Sequence, residues 1–267
     1  MAFGQIHYNA PGDTFEEFVK YVADTGFDCI EVMITDVWPK DAEYDEERAH
    51  EAKAILGAHG IFASALTAAN DFVQLEPAAI KEQVERMQKV AQLARILDTD
   101  VLRTEGGQPK DAVPEEKWAE AIAGCLKACL PFCEDMGVRM AVDNHGVVSN
   151  DPPVLLGALE MVGSPYAGSN LDTMNYRWWG NAVADLPRIY HDIAPYVLHT
   201  HMKDGTGSRQ EYQGAALGQG EIPLQVAIDE LVAVNYQGVW CAEWEGKGDK
   251  GEGYAACLAW MKKNCPG

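Results

Sequence analysis

The chain has 267 residues, of which 41 are Asp or Glu and 21 are Lys or Arg, so its formal charge is −20 at pH 7. Nucleic-acid binding depends on neutralising phosphates with Lys and Arg, so this acidic balance argues against a polynucleotide substrate. Hydrophobic residues make up 47% of the chain, and at this length either two ordinary domains or one large α/β barrel can form.

The first predicted strand is FGQIHYNA. Asp13 then begins a predicted helix with Glu16 three residues later, which is the spacing of a capping box, and Gly26 ends this helix. The second strand is FDCIEVMI, and a helix with a heavily charged start is predicted over residues 41–56. IFASALTAAN follows as the third strand, before a helix near residues 77–97.

Five more strands continue the same alternation, DVLRTEGG, VRMAVDNHG, YAGSNLDTMN, YVLHTHMKD and GVWCAEWEG. The helical patterns between and after them cover residues 114–136, 152–162, 182–193, 223–234 and 252–264. Eight strand–helix units without a linker predict that residues 1–267 form a single-domain (β/α)8 TIM barrel. A doubly wound open sheet is disfavoured because no strand is followed by a glycine-rich phosphate-binding turn.

The seven cysteines are odd in number and scattered, which is typical of reduced thiols. Cys125, Cys129 and Cys133 recur every four residues along one stripe of a predicted helix, which leaves little room to close a tetrahedral metal site. We expect them to pack in the core. The chain also lacks an apolar run of about 18 residues and a recognisable signal peptide, so we expect a cytoplasmic protein.

The predicted strand ends are unusually polar, and in a barrel the catalytic groups lie at the carboxyl ends of the strands. Alternate residues of a strand point to the same side. The pairs that share a side in this way are Asp143 with His145, His201 with Lys203, and Glu243 with Glu245. Each residue alone has a plain structural explanation, such as a helix cap or a salt bridge, but the set as a whole indicates a site.

Four successive strands are expected to bring three carboxylates and one imidazole together, those of Asp143, Asp172, His201 and Glu243. Such a cluster of like charge is costly without a cation. Three oxygens and one nitrogen predict one divalent metal ion, with manganese favoured and magnesium or cobalt as alternatives.

The segments VDNHG, NLDTMN, HTHMKD and CAEWEG, in this order and spacing, resemble the sugar phosphate isomerase/epimerase superfamily of xylose-isomerase-like TIM barrels. The resemblance covers nearly the whole chain, and LGQGEIP at residues 217–223 is similar to the family's glycine-rich turn. It implies a single metal held by the same four residues, with Glu245 as the alternative to Glu243 on the eighth strand. Two departures are Asp143, where the family usually has Glu, and Asn175, where ketose 3-epimerases carry His.

The resemblance implies a sugar isomerase or epimerase that removes a proton next to a carbonyl, with the metal stabilising the enediolate. The candidate bases are Asp143, Glu243 and His145, since histidine titrates near neutral pH. The residues predicted to contact a sugar are His7, Glu31, Asn70, Glu105, Asn175, Trp178, Trp179, Lys203, Arg209 and Trp244. The tryptophans can stack on a sugar or an aromatic group, or simply pack against a loop or a subunit interface.

Three alternatives stay open. A lyase would use His145 as base to release an aglycone from a 3-keto-glycoside, a C- or O-glycoside, by β-elimination. A non-catalytic sugar-binding barrel would bind without proton exchange, and an abasic-site endonuclease, which shares the barrel, is disfavoured by the acidic charge. The expected partner is an unphosphorylated small-molecule sugar or derivative, with neither nucleic acid nor membrane, and the chain is compatible with a homo-oligomer or an accessory subunit.

Overall fold

The structure is a computed structural model that describes residues 1–266. Its main sheet contains the strands β1 (Phe3–Ile6), β2 (Cys29–Val32), β3 (Phe62–Thr67), β4 (Val101–Glu105), β5 (Arg139–Asp143), β6 (Ala167–Asp172), β7 (Val197–His201) and β10 (Trp240–Ala242). Neighbouring strands are parallel and follow chain order, with β10 beside β1. The sheet closes because the Met202 N–H donates to Cys241 O (2.6 Å) and the Glu243 N–H donates to Met202 O (3.0 Å). The predicted (β/α)8 barrel is confirmed.

Helices follow the strands, the long ones on the outside of the barrel and the short ones in the loops. They are α1 (Phe15–Thr25), α2 (Ile34–Val37), α3 (Glu47–Ala58), α4 (Pro77–Ile96), α5 (Trp118–Met136), α6 (Pro152–Val162), α7 (Asn175–Trp179), α8 (Leu186–Ile193), α9 (Leu224–Ala233) and α10 (Lys250–Asn264). The main core lies between these helices and the sheet. Within residues 1–266, none of the helices combines the length and the apolar composition needed to cross a lipid bilayer.

The start of α1 differs from the prediction by one residue. Thr14, rather than Asp13, is the N-cap, because its hydroxyl accepts from the Glu17 N–H (3.2 Å) while the Glu17 carboxylate accepts from the Thr14 N–H (3.1 Å). The capping box is therefore Thr14 with Glu17, and such a cap stabilises a helix by about 1 kcal/mol. Gly26 ends the helix as predicted, with a left-handed φ of 91°.

The helix predicted over residues 41–56 begins later, at Glu47. Asp41 has a left-handed φ of 65°, which is incompatible with a continuing right-handed helix. The Asp45 side chain then accepts from the Glu47 N–H at 2.9 Å, which satisfies one of the free N–H groups at the new helix start. The charged start of this segment is therefore a turn and not a helix.

The three cysteines of α5 pack in the core, as expected. Cys125, Cys129 and Cys133 are fully buried free thiols among apolar neighbours. Burial raises the pKa of Cys125 and of Cys133 to about 12, so both stay protonated at neutral pH. In the described part of the chain, none of the three belongs to a group that could hold a metal ion.

The inside of the barrel changes from apolar to polar along the strands. A small apolar layer consists of Ala65, Val101 and Ala141, with Leu198 against it. Two residues further toward the carboxyl ends, β4 and β5 carry Arg103 and Asp143 on the same side. The polar residues are thus placed above an apolar floor and open toward the carboxyl-terminal mouth.

A small antiparallel hairpin, β8 (Asp204–Thr206) with β9 (Gln213–Ala215), follows β7 and was not predicted. Asp204 fixes the turn at residues 217–223, because its carboxylate accepts from the N–H groups of Gly218 (2.9 Å), Gly220 (3.0 Å) and Ile222 (3.2 Å). This turn is the glycine-rich segment noted in the sequence, so its glycines serve a local backbone arrangement.

Candidate metal and sugar site

Three of the four predicted metal ligands lie together at the carboxyl ends of β6, β7 and β10. Asp172, His201 and Glu243 each offer one ligand atom, and these atoms all lie within 4.8 Å of one another. Nδ1 of His201 is 2.9 Å from Oε2 of Glu243. All three residues are buried, so the group is enclosed by protein.

The donor set fits a divalent cation. Oδ1 of Asp172 accepts from the N–H groups of Met174 (2.8 Å) and Asn175 (2.9 Å), which fixes the carboxylate. Its other oxygen, Oδ2, is buried and has no hydrogen-bond partner within residues 1–266. Burial raises the pKa of Asp172 to about 7, although Lys203 acts in the opposite direction. A bound cation would favour the ionised carboxylate and supply the missing partner.

Asp143, the fourth predicted ligand, lies beside this group but is already hydrogen-bonded on both oxygens. Asn170 Nδ2 donates to Oδ1 (2.6 Å), and the Arg103 guanidinium contacts Oδ2. Oδ1 is also 4.0 Å from Nδ1 of His201. Burial raises the pKa of Asp143, but the nearby cations, Arg103 above all, bring it below its ordinary value. Asp143 is therefore held as an ionised carboxylate at the edge of the three-residue group.

Lys203 connects the carboxylates of the mouth. Its Nζ lies 3.0 Å from Oε1 of Glu243, 2.9 Å from Oε2 of Glu245 and 3.6 Å from Oδ2 of Asp172. Glu243 also contacts His201, whereas Glu245 accepts from the Tyr212 hydroxyl at 2.7 Å. The geometry thus places Glu243, and not Glu245, in the candidate metal group.

His145 lies at the rim of the same site. Its side chain is 48% exposed, and its Nδ1 is 3.8 Å from Oδ2 of Asp143. This distance is too long for a hydrogen bond, so the ring is close to the site without being fixed by it. Among the three predicted bases, His145 is the one that solvent reaches freely.

Arg103 and Asn170 were missed by the sequence analysis although both form the wall of the site. Arg103 precedes Glu105 by two residues and Asn170 precedes Asp172 by two, so strand alternation places each on the same side as a predicted residue. The alternation in VLRTE and AGSNLD therefore predicts both residues to face the site, but only the last residues of these strands were predicted as site residues. His199, two residues before His201, belongs to the same inner layer and is buried.

Several predicted substrate contacts have structural partners instead. Asn70 spans the ends of two strands, since it donates to Glu105 O (2.7 Å) and accepts from the Glu105 N–H (2.8 Å). The His7 ring stacks on Phe18 with ring centres 4.0 Å apart, and its Nδ1 lies 2.8 Å from Asp36. These contacts hold loops of the mouth together.

Glu31 lies behind His201. It is fully buried, with Oε2 at 2.7 Å from Nε2 of His201, on the side of that ring away from Glu243. Asn175, by contrast, lies in the site, with its side-chain oxygen 3.5 Å from Nζ of Lys203 and its amide nitrogen unpartnered within the described residues. Asn175 therefore keeps a buried donor without a hydrogen bond beside Lys203.

The aromatic residues divide into two sets. Trp178 and Trp179 are partly exposed on α7, and the Arg209 guanidinium lies 3.8 Å from the centre of the Trp179 ring and 5.7 Å from that of Trp178. Trp244 is only 4% exposed and lies against Tyr254 of α10, at a ring distance of 6.3 Å. Trp178, Trp179 and Arg209 thus form one surface cluster, whereas Trp244 packs on a helix.

The comparisons with known proteins agree with the barrel fold. The family model described as xylose isomerase-like TIM barrel matches residues 19–264. The chain therefore belongs to the family of xylose isomerase-like TIM barrels. No curated protein sequence matches it.

Solved structures with the same fold are similar over almost their whole length. The IolI protein, titled as having a zinc atom bound, is 15% identical, with 98% of this chain and 97% of that chain covered and a TM-score of 0.80. D-psicose 3-epimerase in the presence of D-fructose is 16% identical, with complete coverage of both chains (100% each) and a TM-score of 0.77. The 3-keto-D-glucoside 4-epimerase from E. coli is 14% identical, with coverage of 98% and 99% and a TM-score of 0.77. At these identities the similarity shows the fold.

Proposed function

We propose that the protein is a divalent-metal-dependent sugar isomerase or epimerase. The observation that carries this proposal is the buried group of Asp172, His201 and Glu243, in which Asp172 Oδ2 makes no hydrogen bond within residues 1–266 and lies 3.6 Å from the Lys203 ammonium. Asp143 would complete the ligand set or support it from the edge. The solved structures of similar fold support a sugar substrate, because two of them are titled as sugar epimerases.

Different residues of the site would have different roles in binding the metal and the sugar. The metal, when bound, would polarise a carbonyl and an adjacent hydroxyl of the sugar. Glu243 is kept ionised because Lys203 and His201 lower its pKa well below the ordinary value despite burial. The free amide of Asn175 would donate to a sugar oxygen. These roles orient the sugar before any proton moves.

Proton transfer is best assigned to His145. Asp143 and Glu243 are both engaged by a cation, Arg103 and Lys203 respectively, so protonating either one would weaken a buried ion pair. His145 is free of such a pair and exposed to solvent, which suits a group that exchanges protons with water.

The test is proton exchange in deuterated water. The full chain, stripped of metal with chelator and reloaded with Mn²⁺, is incubated with a panel of unphosphorylated ketoses and 3-keto-sugars. Deuterium incorporation next to the carbonyl, dependent on the added metal, supports the proposal. Sugar binding without exchange would instead identify a non-catalytic sugar-binding barrel.

A lyase acting on 3-keto-glycosides is the second candidate. The partly exposed cluster of Trp178, Trp179 and Arg209 at the mouth favours it, since aromatic rings can hold an aryl leaving group. Abstraction of the proton beside the carbonyl by His145 would then expel the aglycone.

A cytoplasmic location and the absence of nucleic-acid or membrane partners remain predictions from the sequence.

A further inference from the structure

His201 has a carboxylate on each side of its ring. Nδ1 faces Glu243 at 2.9 Å and belongs to the candidate metal group, while Nε2 lies 2.7 Å from Oε2 of Glu31. The ring is fully buried, so it cannot exchange these partners for water. The orientation of the metal-facing nitrogen is therefore determined by what the opposite nitrogen contacts.

Glu31 could in principle hold a metal itself, because Glu31, His199 and His201 form a second compact group. Both ring nitrogens of His199, however, already have partners. Nδ1 is 2.8 Å from the Asn170 side-chain oxygen, and Nε2 is 3.2 Å from the Ser64 hydroxyl. Glu31 Oε1 also makes no hydrogen bond within residues 1–266, but a metal in this second group would have to break the contacts of His199. In the group of Asp172, His201 and Glu243, neither Asp172 Oδ2 nor His201 Nδ1 has a hydrogen bond to break within the described residues.

We infer that Glu31 is a positioning residue for the metal centre. Its carboxylate accepts the Nε2–H of His201 and so leaves the Nδ1 lone pair directed at Asp172 and Glu243. Carboxylates that bind the far nitrogen of a ligating histidine in this way fix its tautomer and raise its basicity. This role rests on the proposed metal function and replaces the direct sugar contact predicted for Glu31.

Zinc titration calorimetry of the chelator-treated full chain tests this inference. Glu31→Gln keeps the shape of the side chain but removes its charge, so Zn²⁺ affinity should fall by about 10- to 100-fold. The matched control is Glu230→Gln, because Glu230 also pairs with a histidine, His191, at 2.9 Å, but on the outer helices. The control should bind Zn²⁺ like the wild type.

Nitrogen-15 NMR of the histidine rings supplies a readout that a loss of packing would not mimic. In the Zn²⁺-loaded wild type, the signals assigned with a His201→Asn variant should show zinc on Nδ1 and the proton on Nε2. In Zn²⁺-loaded Glu31→Gln, the fraction of rings with zinc on Nδ1 and the proton on Nε2 should be smaller, because no carboxylate fixes that tautomer. Circular dichroism tests whether the Glu31→Gln variant is folded. If it is unfolded, the nitrogen signals of the Zn²⁺-loaded wild type alone test which ring nitrogen of His201 binds zinc.

The outcomes separate the two claims. A wild-type chain that binds no Zn²⁺ would overturn the proposed metal centre and the role of Glu31 with it. Zinc on Nε2 of His201, or a folded Glu31→Gln variant with wild-type affinity and tautomer, would overturn only the role of Glu31.

Discussion

The Arg103 guanidinium contacts the Asp143 carboxylate across β4 and β5, inside the barrel. Asp143 is completely buried and Arg103 is 7% exposed, so neither charge has water as an alternative partner. The pair is therefore both a structural support and a constraint on what Asp143 can do in catalysis.

Removing the cation of this pair should destabilise the fold. Arg103→Met leaves a buried carboxylate without its ion-pair partner, and we expect a loss of about 3–5 kcal/mol in the free energy of unfolding. Denaturant unfolding measures this. The double variant Arg103→Met/Asp143→Asn should recover part of the loss, whereas additive losses would show that the two side chains are not coupled.

The two glutamates after β10 should differ in metal retention. Glu243 lies in the candidate metal group and Glu245 pairs with Lys203 and Tyr212. We expect Glu243→Gln to lose tightly bound metal, as Asp172→Ala and His201→Ala should, whereas Glu245→Gln should keep it. Metal analysis after dialysis against chelator decides, and stoichiometric metal in Asp172→Ala and His201→Ala would contradict the ligand assignment.

His145→Ala should separate proton transfer from metal binding. Because the ring is exposed and makes no hydrogen bond through its side chain within residues 1–266, the variant should keep its stability and its metal. Its turnover should fall by about 10²- to 10⁴-fold, the usual contribution of a general base. If the variant instead retains most of its activity, Asp143 and Glu243 carry the proton.

The tryptophans should fall into two classes. Trp244→Ala removes a buried ring and should cost about 3–5 kcal/mol of stability, measured by denaturant unfolding. Trp178→Ala and Trp179→Ala should leave stability nearly unchanged and weaken release of an aromatic aglycone from a 3-keto-glycoside. Equal loss on the glycoside and on a free ketose would mean that these two rings only hold their loop.

His199 should make stability depend on pH. Burial lowers its pKa to about 4, against an ordinary value of 6.5, with Glu31 acting in the opposite direction. Between these two values the unfolded chain binds a proton here and the folded chain does not, so stability falls as the pH is lowered through this window, by up to about 3 kcal/mol. His199→Gln should flatten that dependence. If the free energy of unfolding of His199→Gln depends on pH between 6.5 and 4 as steeply as that of the wild type, His199 is not a buried neutral residue.

The barrel and most of its strands could be predicted because alternating apolar strands and amphipathic helices are local patterns. The two incorrect helix starts had local causes. Thr14 rather than Asp13 caps α1, and Asp41 has a left-handed conformation, so α3 begins after it. Such choices depend on one side-chain hydrogen bond or one dihedral angle, which hydrophobic periodicity does not encode.

The candidate site was predictable in part for the same reason. Strand alternation brought Asp172, His201 and Glu243 together correctly. It could not show that Arg103 would reach Asp143 or that Glu31 would lie behind His201, because these contacts join residues 40 and 170 positions apart in the chain. Long side chains inside a closed barrel select their partners in three dimensions.

The seven cysteines allow local opening of the barrel to be followed by thiol labelling. All are buried free thiols, distributed over β2, α5, β10 and α10 and next to the end of α10. A thiol reagent can therefore react only when the region around a given cysteine opens, so labelling followed by peptide mass analysis measures the opening rate of each part of the barrel separately. Cys265, the most exposed at 8%, should be modified first, and the three thiols of α5 should record the opening of its central packing.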